Sequence, residues 1–181
     1  MRALVTGGAG FIGSNVVDLF LDMGHDVTVL DDLSSGYEEN LAPRARFVRG
    51  DVRDFEAVSS ATQACDVVCH LAASVGILRS IENPREDATI NLLGTLTVLE
   101  AARRAGVTRV VFSSSAGVFG ELKTIPIAED HPQEPDSPYG VSKLAAEKVC
   151  LVFNKLYEMN NVCLRYFNVY GADSASTPTV T

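Results

Sequence analysis

Short apolar segments alternate with segments of helical periodicity along almost the whole chain. The short segments show no clean alternation of polar and apolar residues, which is typical of strands covered on both faces of a parallel sheet. We predict strands at Arg2–Thr6, Asp26–Leu30, Ala45–Arg49, Asp66–Leu71, Arg109–Ser113 and Val162–Tyr166. We predict helices at Phe11–Met23, from the cap Asp54 to about Gln63, at Pro84–Ala105 and at Tyr139–Glu158. This alternation predicts an α/β protein with a doubly wound parallel sheet.

Two segments depart from this alternation. The stretch Gly117–Pro138 contains Pro126, Pro132, Pro135 and Pro138, and it is predicted to be a loop. Residues 171–181 have no periodicity, so they are either the start of a further domain or a frayed tail. The alternating pattern therefore predicts one domain over residues 1–170.

Composition disfavours several kinds of partner. Hydrophobic residues make up 46% of the 181 residues, so a core can form. The 15 Lys and Arg residues against 23 Asp and Glu give a formal net charge of −8, which argues against binding of nucleic acid. No apolar run approaches the roughly 20 residues of a membrane span, and the N-terminus lacks the pattern of a secretion signal. We therefore expect a cytoplasmic protein that has no membrane partner.

The spacing of cysteine and histidine argues against a metal site. The cysteines form no CxxC pair and lie mostly in apolar runs, so we expect buried thiols at Cys65, Cys69, Cys150 and Cys163. The histidines are too scattered along the chain to form a zinc site, and they are His25, His70 and His131.

A glycine-rich segment follows the first predicted strand and opens the first predicted helix. Thr6–Gly13 has the sequence TGGAGFIG, which fits both GxGxxG and GxxGxxG. Glycine permits a tight turn and lets the backbone approach a pyrophosphate, while the helix start offers free N–H groups. Gly13 would let that helix pack closely on the sheet. We expect a Rossmann-type sheet with strand order 3-2-1-4-5-6 and a dinucleotide site; the alternative is an ordinary glycine-rich turn.

Two acidic positions follow the next predicted strands. Asp31, at the end of the second strand, could accept hydrogen bonds from both hydroxyls of an adenosine ribose. Residues 32–43 contain no Lys or Arg to welcome a 2′-phosphate, so the sequence favours NAD over NADP. Asp32 is a second candidate for this role, and either could instead be a solvated turn carboxylate. Asp51 is either an adenine contact or a helix cap.

A candidate catalytic pair lies on the last predicted helix. Tyr139 and Lys143 are four residues apart and therefore share one face. A nearby ammonium should lower the pKa of the phenol, so that Tyr139 can take a proton from an alcohol. Three serines follow the fifth strand, where a hydroxyl can bind the reacting oxygen. The pattern favours Ser113 and Ser114 as ordinary strand-end residues, whereas Ser115 is favoured as functional by the resemblance described next.

Seven motifs occur in order along the chain: TGGAGFIG at 6–13, Asp31, HLAAS at 70–74, Asn91 in NLLGT, FSSSAGVFG at 112–120, SPYGVSK at 137–143 and LRYFNVYG at 164–171. The set closely resembles the extended short-chain dehydrogenase/reductase family, in its nucleotide-sugar epimerase branch. The resemblance implies NAD-dependent epimerisation at C4 of a nucleotide sugar, through a 4-keto intermediate. The sugar would be carried as a UDP-hexose or its N-acetyl form.

The resemblance also implies roles for individual residues. Tyr139 would be the catalytic base, Ser115 its hydroxyl partner, and Lys143 would hold the nicotinamide ribose. Asn168 would touch the sugar nucleotide together with Ser115 and Tyr139. The remaining NAD site would be lined by Gly7, Gly10, Phe11, Ile12, Gly13, Asp31, Asp51, Val52, Leu71, Ala72, Ala73, Asn91 and Ser113. A homodimer would form through helices that match roughly residues 91–105 and 140–158.

Two departures from the family pattern qualify this interpretation. The dehydratase branch carries Thr-Asp-Glu where this chain has Ser115, Ala116 and Gly117, so dehydration is disfavoured, and related decarboxylases are disfavoured for the same reason. The family's C-terminal substrate domain, which should follow residue 171, is largely absent from this chain. The alternatives are another nucleotide-sugar reductase or decarboxylase of the family, or a non-catalytic NAD-binding sensor. The presence of Tyr139 and Lys143 favours catalysis.

Overall fold

A six-stranded parallel sheet forms the centre of the protein, seen in a computed structural model that describes residues 1–171. Its strands are β1 (Arg2–Thr6), β2 (Asp26–Asp31), β3 (Arg46–Arg49), β4 (Val67–His70), β5 (Val110–Ser115) and β6 (Val162–Tyr166). Their order across the sheet is β3-β2-β1-β4-β5-β6, and every adjacent pair is parallel. The predicted fold class and strand order are confirmed. The predicted segment 171–181 lies, after Gly171, outside the described residues.

Most helices occur where the periodicity predicts them. They are α1 (Phe11–Asp22), α2 (Phe55–Thr62), α3 (Ile77–Glu82), α4 (Pro84–Ala88), α5 (Gly94–Arg104) and α6 (Pro138–Tyr157). Asp54 caps α2 as predicted, accepting hydrogen bonds from two backbone N–H groups of its first turn. No helix within residues 1–171 is long and apolar enough to cross a membrane.

The predicted helix Pro84–Ala105 is not one regular helix. It consists of α4, a π-helical turn at Thr89–Leu93, and α5. A short helix, α3, precedes this segment and was not predicted. Asn83 ends α3, and the following Pro84 has no N–H with which to continue its hydrogen-bond ladder. The predicted loop is likewise shorter, since a 3₁₀ turn forms at Ala116–Val118 and Pro138 already belongs to α6.

Apolar side chains fill both faces of the sheet, because successive strand residues point to opposite sides. Leu4 packs on one face with Val58, Leu99 and Ala146 from α2, α5 and α6. Its neighbour Val5 packs on the opposite face, in the cluster that contains residues of α1. The chain runs from β1 outward through β2 and β3, then crosses to β4 on the other side of β1. The carboxyl ends of β1 and β4 therefore form the switch-point crevice where such folds bind ligands.

Candidate active site

The glycine loop between β1 and α1 packs directly against backbone atoms at two of its glycines. Gly7 has φ +71°, and a Cβ there would lie 2.6 Å from the backbone nitrogen of Ala72. A Cβ on Gly13 would lie 2.0 Å from the Gly7 oxygen. Gly13 therefore lets the start of α1 lie directly against the loop that leaves β1, and its role in close packing of α1 on the sheet stays a prediction. Gly7 allows the loop to lie against the chain leaving β4.

Gly10 differs from these two glycines because the space around it is open. A Cβ there would meet only the Gly7 oxygen, at 3.3 Å. Gly10 is the N-cap of α1 and supplies no side-chain cap, and the first turn contains no acidic residue. The N–H groups at Phe11 and Ile12 lie in this first turn, where a helix leaves donors unpaired and carries partial positive charge. This helix start is suited to a pyrophosphate.

The two candidate ribose acids lie in different environments. Asp31 is 8% exposed; its Oδ2 accepts from the Ala9 N–H at 3.0 Å, and its Oδ1 accepts from the Leu33 N–H at 2.9 Å. The carboxylate therefore lies directly beside the glycine loop, and each oxygen retains a lone pair for a hydroxyl donor. Asp32 is exposed and bonds the backbone of Ser34. The geometry favours Asp31.

Asp51 does not cap a helix. It accepts hydrogen bonds from the backbone and side chain of Arg53, and this ion pair lowers the pKa of the Asp51 carboxyl. The capping alternative is wrong because Asp54 performs that role. The next residue, Val52, is 6% exposed and packs so closely on α5 that a Cβ on Gly94 would lie 2.8 Å from its Cγ2. The adenine contact stays a prediction.

The chain leaving β4 is bonded to the glycine loop. The Leu71 N–H donates to the Thr6 carbonyl at 3.1 Å, and the Ala72 N–H donates to the Thr6 hydroxyl at 3.3 Å. With Ala73, this segment lies at the carboxyl end of β4, where the expected NAD site is. The hydroxyl of Thr6 also lies 2.7 Å from Nδ1 of His70.

His70 is a residue whose role sequence reasoning missed. It is 1% exposed, with Nδ1 at Thr6 and Nε2 3.0 Å from the hydroxyl of Thr95. Thr95 donates its own proton to the Asn91 carbonyl, so it accepts from His70 Nε2–H, and Nδ1 is left as the acceptor. Burial lowers the pKa of His70 to about 3. A neutral imidazole therefore connects the glycine loop to Thr95 at the start of α5.

Asn91 lies inside the protein rather than on an open surface. It is 1% exposed; its Oδ1 accepts from the Ser74 N–H at 2.8 Å, and its Nδ2 donates to the Ser74 carbonyl at 3.1 Å. Nδ2 also lies 2.9 Å from Asp87 Oδ1 and 3.2 Å from the Ser142 hydroxyl. These bonds make Asn91 a connector between the chain leaving β4 and α6; direct contact with NAD stays a prediction.

Lys143 is buried within the predicted catalytic group. It is 2% exposed, and Nζ donates to the Ser113 carbonyl at 2.9 Å. Nζ lies 5.0 Å from the ring centre of Phe112 and 5.9 Å from that of Tyr139. Burial lowers the pKa of Lys143 to about 8. The predicted shared face of Tyr139 and Lys143 is present, and Ser113 joins them through its backbone.

The expectation of a lowered tyrosine pKa is wrong for this structure. Burial raises the pKa of Tyr139, the polar side chain of Ser115 lowers that pKa by a smaller amount, and the charge of Asp87 raises it further. The Lys143 ammonium bonds the Ser113 carbonyl instead of the phenol oxygen. Tyr139 is therefore a neutral phenol at pH 7 in this state.

Ser115 and Ser114 point in opposite directions from β5. The Ser115 hydroxyl accepts from the Gly117 N–H at 3.1 Å, and its polar group lowers the pKa of Tyr139. Ser114 donates instead to Glu147 at 2.5 Å, and this buried carboxylate is paired with Arg165. Ser114 is thus a structural residue. Asn168 is exposed just after β6, at the same sheet edge, and its contact with substrate stays a prediction.

Residues 1–171 contain no cluster of three or more His, Cys, Asp or Glu side chains that could hold a metal ion. At this edge of the sheet the glycine loop and Asp31 lie on one side, and Ser115, Tyr139 and Lys143 lie on the other. A Rossmann-type sheet with this pair of features defines the short-chain dehydrogenase/reductase class.

Comparison with known proteins identifies the family. A family model described as "NAD dependent epimerase/dehydratase family" matches residues 3–181. The chain belongs to that family. A UDP-glucose 4-epimerase from Lacticaseibacillus casei is 43% identical over 174 residues, which are 95% of this chain and 53% of the relative. The chain thus spans about half the length of the curated relatives it matches.

Two similar solved structures show that the fold alone does not distinguish an epimerase from a dehydratase. The UDP-glucose 4-epimerase of Thermus thermophilus, in complex with NAD, is 44% identical with a TM-score of 0.89; the match covers 94% of this chain and 56% of that one. The Streptomyces venezuelae dTDP-glucose 4,6-dehydratase DesIV is 38% identical with a TM-score of 0.89, over 95% of this chain and 57% of that one. Epimerase and dehydratase share this fold, so their reactions must be distinguished at the site.

Proposed function

We propose that this chain forms the NAD-binding and catalytic part of a nucleotide-sugar 4-epimerase. The observation that carries the proposal is the convergence of two features at one edge of the sheet. An uncapped helix start with an adjacent buried aspartate lies at β1 and β2, and a serine, tyrosine and lysine lie at β5 and α6. The proteins similar to this chain include UDP-glucose 4-epimerases.

The residues present fit NAD. The open side of Gly10 leaves space for a pyrophosphate against the start of α1, where a Cβ would intrude. Asp31 can accept hydrogen bonds from the adenosine ribose, and its charge would repel the 2′-phosphate of NADP. Lys143 would bind the nicotinamide ribose at the other end. Bound NAD would supply the acceptor for a hydride from C4 of the sugar and the donor that returns it.

Side chains of β5 and α6 would bind the C4 hydroxyl of the sugar and transfer its proton. Ser115 and Tyr139 would bind the C4 hydroxyl, and the phenolate of Tyr139 would take its proton as hydride leaves the same carbon. The ammonium of Lys143 and the positive charge of oxidised nicotinamide would both favour that phenolate. After the 4-keto sugar turns in the site, Tyr139 would return the proton to the oxygen when hydride is returned to the opposite face.

Position 117 favours epimerisation over dehydration. A Cβ on Gly117 would lie 3.5 Å from the Ser115 hydroxyl and 3.6 Å from Cδ1 of Tyr139. A glutamate at this position, as in the dehydratase pattern, would therefore lie beside the reacting group, where it could move a second proton. Glycine there leaves only the acid–base chemistry of Tyr139, which suffices for epimerisation.

The substrate and the assembly are also part of the proposal. We infer a UDP-hexose or its N-acetyl form as substrate and a second copy of this chain as partner. Exposed apolar side chains on α6, namely Leu151, Val152 and Leu156, are 45–65% exposed and could form such an interface. The cytoplasm is the compartment we propose, since the thiols of Cys69 and Cys150 are buried and unpaired.

The direct test is incubation of UDP-galactose with the protein carrying this chain at its full natural length. We expect UDP-glucose to form with no net change in nicotinamide absorbance. A reductase of the same family would change that absorbance in proportion to product. A sensor would bind NAD without converting the sugar, and either result would reject the epimerase.

A further inference from the structure

One buried carboxylate lies on α6 and another packs against that helix, and their charges are balanced differently. Glu147 is 1% exposed and is paired with Arg165, whose Nε and Nη2 each lie 3.0 Å from a carboxylate oxygen. Asp87 on α4 is 2% exposed, yet within residues 1–171 no Lys, Arg or His side chain lies at ion-pair distance from it. A buried carboxylate without such a partner is costly, and the catalytic steps proposed above do not use it.

Asp87 is bonded to the catalytic helix. The Ser142 hydroxyl donates to Asp87 Oδ2 at 2.5 Å, and Asn91 Nδ2 donates to Oδ1 at 2.9 Å. Ser142 directly precedes Lys143, and its hydroxyl also lies 3.0 Å from the Tyr139 carbonyl. The hydroxyl can therefore donate to Asp87 when the acid is ionised, or to that carbonyl when the acid is protonated. The network accepts either charge state of Asp87.

The π turn fixes this geometry. Asn91 lies within it, one helical turn after Asp87, and is also held by the backbone of Ser74. Such turns often occur at functional sites. The carboxylate is thus held from two elements and cannot move away from α6.

The charge of Asp87 acts on both members of the catalytic pair. It raises the pKa of Lys143, against the larger effect of burial, and it raises the pKa of Tyr139 in the same direction as burial. Among residues 1–171, Arg79 on α3 also acts on Asp87, Cys150 on α6 acts on Lys143, and the charge of Lys143 acts on His70 of β4. Glu147 on α6 and Arg165 on β6 form their own ion pair. His70 is neutral, and Glu147 is already neutralised by Arg165.

We propose that Asp87 is a positioning residue that acts as the buried counter-charge of Lys143 and sets how tightly the Tyr139–Lys143 pair holds its protons. The catalytic use of Tyr139 and Lys143 rests on the proposed function, whereas the effect of Asp87 on their proton affinity does not. Removing the charge of Asp87 should make Lys143 easier to deprotonate and the Tyr139 phenolate easier to form. Both changes move the working range of the pair to lower pH.

The test is an NMR titration of the 181-residue chain labelled with ¹³C at lysine Cε, with the Lys143 signal assigned by its loss in Lys143→Met. We expect a midpoint near pH 8 in the parent chain. Asp87→Asn should lower it by about half a pH unit or more. Glu86→Gln is the matched control, because Glu86 is the exposed neighbour on the same helix and should leave the midpoint in place. Should Asp87→Asn fail to fold, Asp87→Ser carries the same expectation.

The outcomes separate this inference from the proposed function. An unchanged or raised Lys143 midpoint in the Asp87 variant, or an equal fall in Glu86→Gln, overturns the inference even if the protein epimerises sugars. A lowered midpoint in a protein without epimerase activity supports the inference and rejects the function. In an active enzyme, the acidic limb of the kcat/KM profile should also move to lower pH in Asp87→Asn, a shift that a purely structural role would not produce.

Discussion

The starts of α1 and α6 lie at the same edge of the sheet and are built in opposite ways. Gly10 gives α1 no side-chain cap, so the backbone donors of its first turn stay available. Ser137 caps α6 by accepting from the Gly140 N–H at 3.2 Å, and Pro138 follows at the first helical position. The difference shows that α1 would bind a ligand through the free backbone N–H groups of its first turn. The start of α6 is capped by its own serine, so α6 would contribute to the site through side chains.

The largest effect on activity should come from a substitution on α6. Tyr139→Phe should lower turnover by about 10²–10⁴-fold, because the substrate proton loses its acceptor, while NAD binding changes little. Steady-state epimerisation and cofactor titration would measure the two quantities. Tyr157→Phe, on the exposed end of the same helix, is the matched control and should retain activity. Unaltered turnover in Tyr139→Phe would remove α6 from the chemistry.

NAD binding at the start of α1 should instead be sensitive to added side-chain volume. Gly13→Ala would place Cβ 2.0 Å from the Gly7 oxygen, so the loop must shift and NAD binding should weaken by at least about tenfold. Gly24→Ala, at the other end of α1, meets nothing within 4 Å and has only the strain of φ +77°. It should cost about 1 kcal/mol of stability and leave NAD affinity intact. Equal NAD affinity in both variants, measured by calorimetry, would contradict a backbone-built site.

His70 connects the glycine loop to α5, and its titration should make the free energy of unfolding depend on pH. Its pKa is about 3 in the folded chain and about 6.5 when unfolded, so the unfolded chain binds more protons between these values. The free energy of unfolding should therefore fall as pH decreases from about 6.5 toward 3, by at most about 1.4 kcal/mol per pH unit from this group. Urea unfolding at several pH values should show this slope, and His70→Gln should flatten it. An identical slope in both chains would exclude His70 as its source.

The smallest effect should come from the cap of α6. Ser137→Ala removes the acceptor for the Gly140 N–H and should cost about 1 kcal/mol of stability, whereas Ser137→Gly should cost only a few tenths. Urea unfolding would compare the two variants. Equal costs would indicate that the hydroxyl does not stabilise the helix start.

Local patterns sufficed to predict much of the fold. β1 and β6 begin and end at the predicted residues, and the carboxylate of Asp31 lies beside the glycine loop as expected. The Tyr139–Lys143 spacing could be read from helical periodicity alone. These features depend on neighbours in sequence, or on the rule that parallel strands end at one edge of a sheet.

Features that depend on burial could not be predicted in the same way. The predicted sign of the pKa shift of Tyr139 was wrong because burial and the charge of Asp87 both raise the pKa, and the lowering by Ser115 is smaller than the effect of burial. Asp87 lies in the polar sequence PREDA and resembles a surface residue, until the packing of α4 on α6 buries it. The bonds of His70 join three elements that are remote in sequence. No local pattern records such contacts.

The central claim is that hydride leaves C4 of the sugar and returns to the same carbon within one closed site. The most direct measurement uses UDP-galactose deuterated at C4, incubated with the full-length protein and analysed by mass spectrometry of the UDP-glucose formed. We expect the product to retain the deuterium at C4, with no label in the water or in added free NAD. Loss of the label to water, or the absence of any UDP-glucose, would contradict the account.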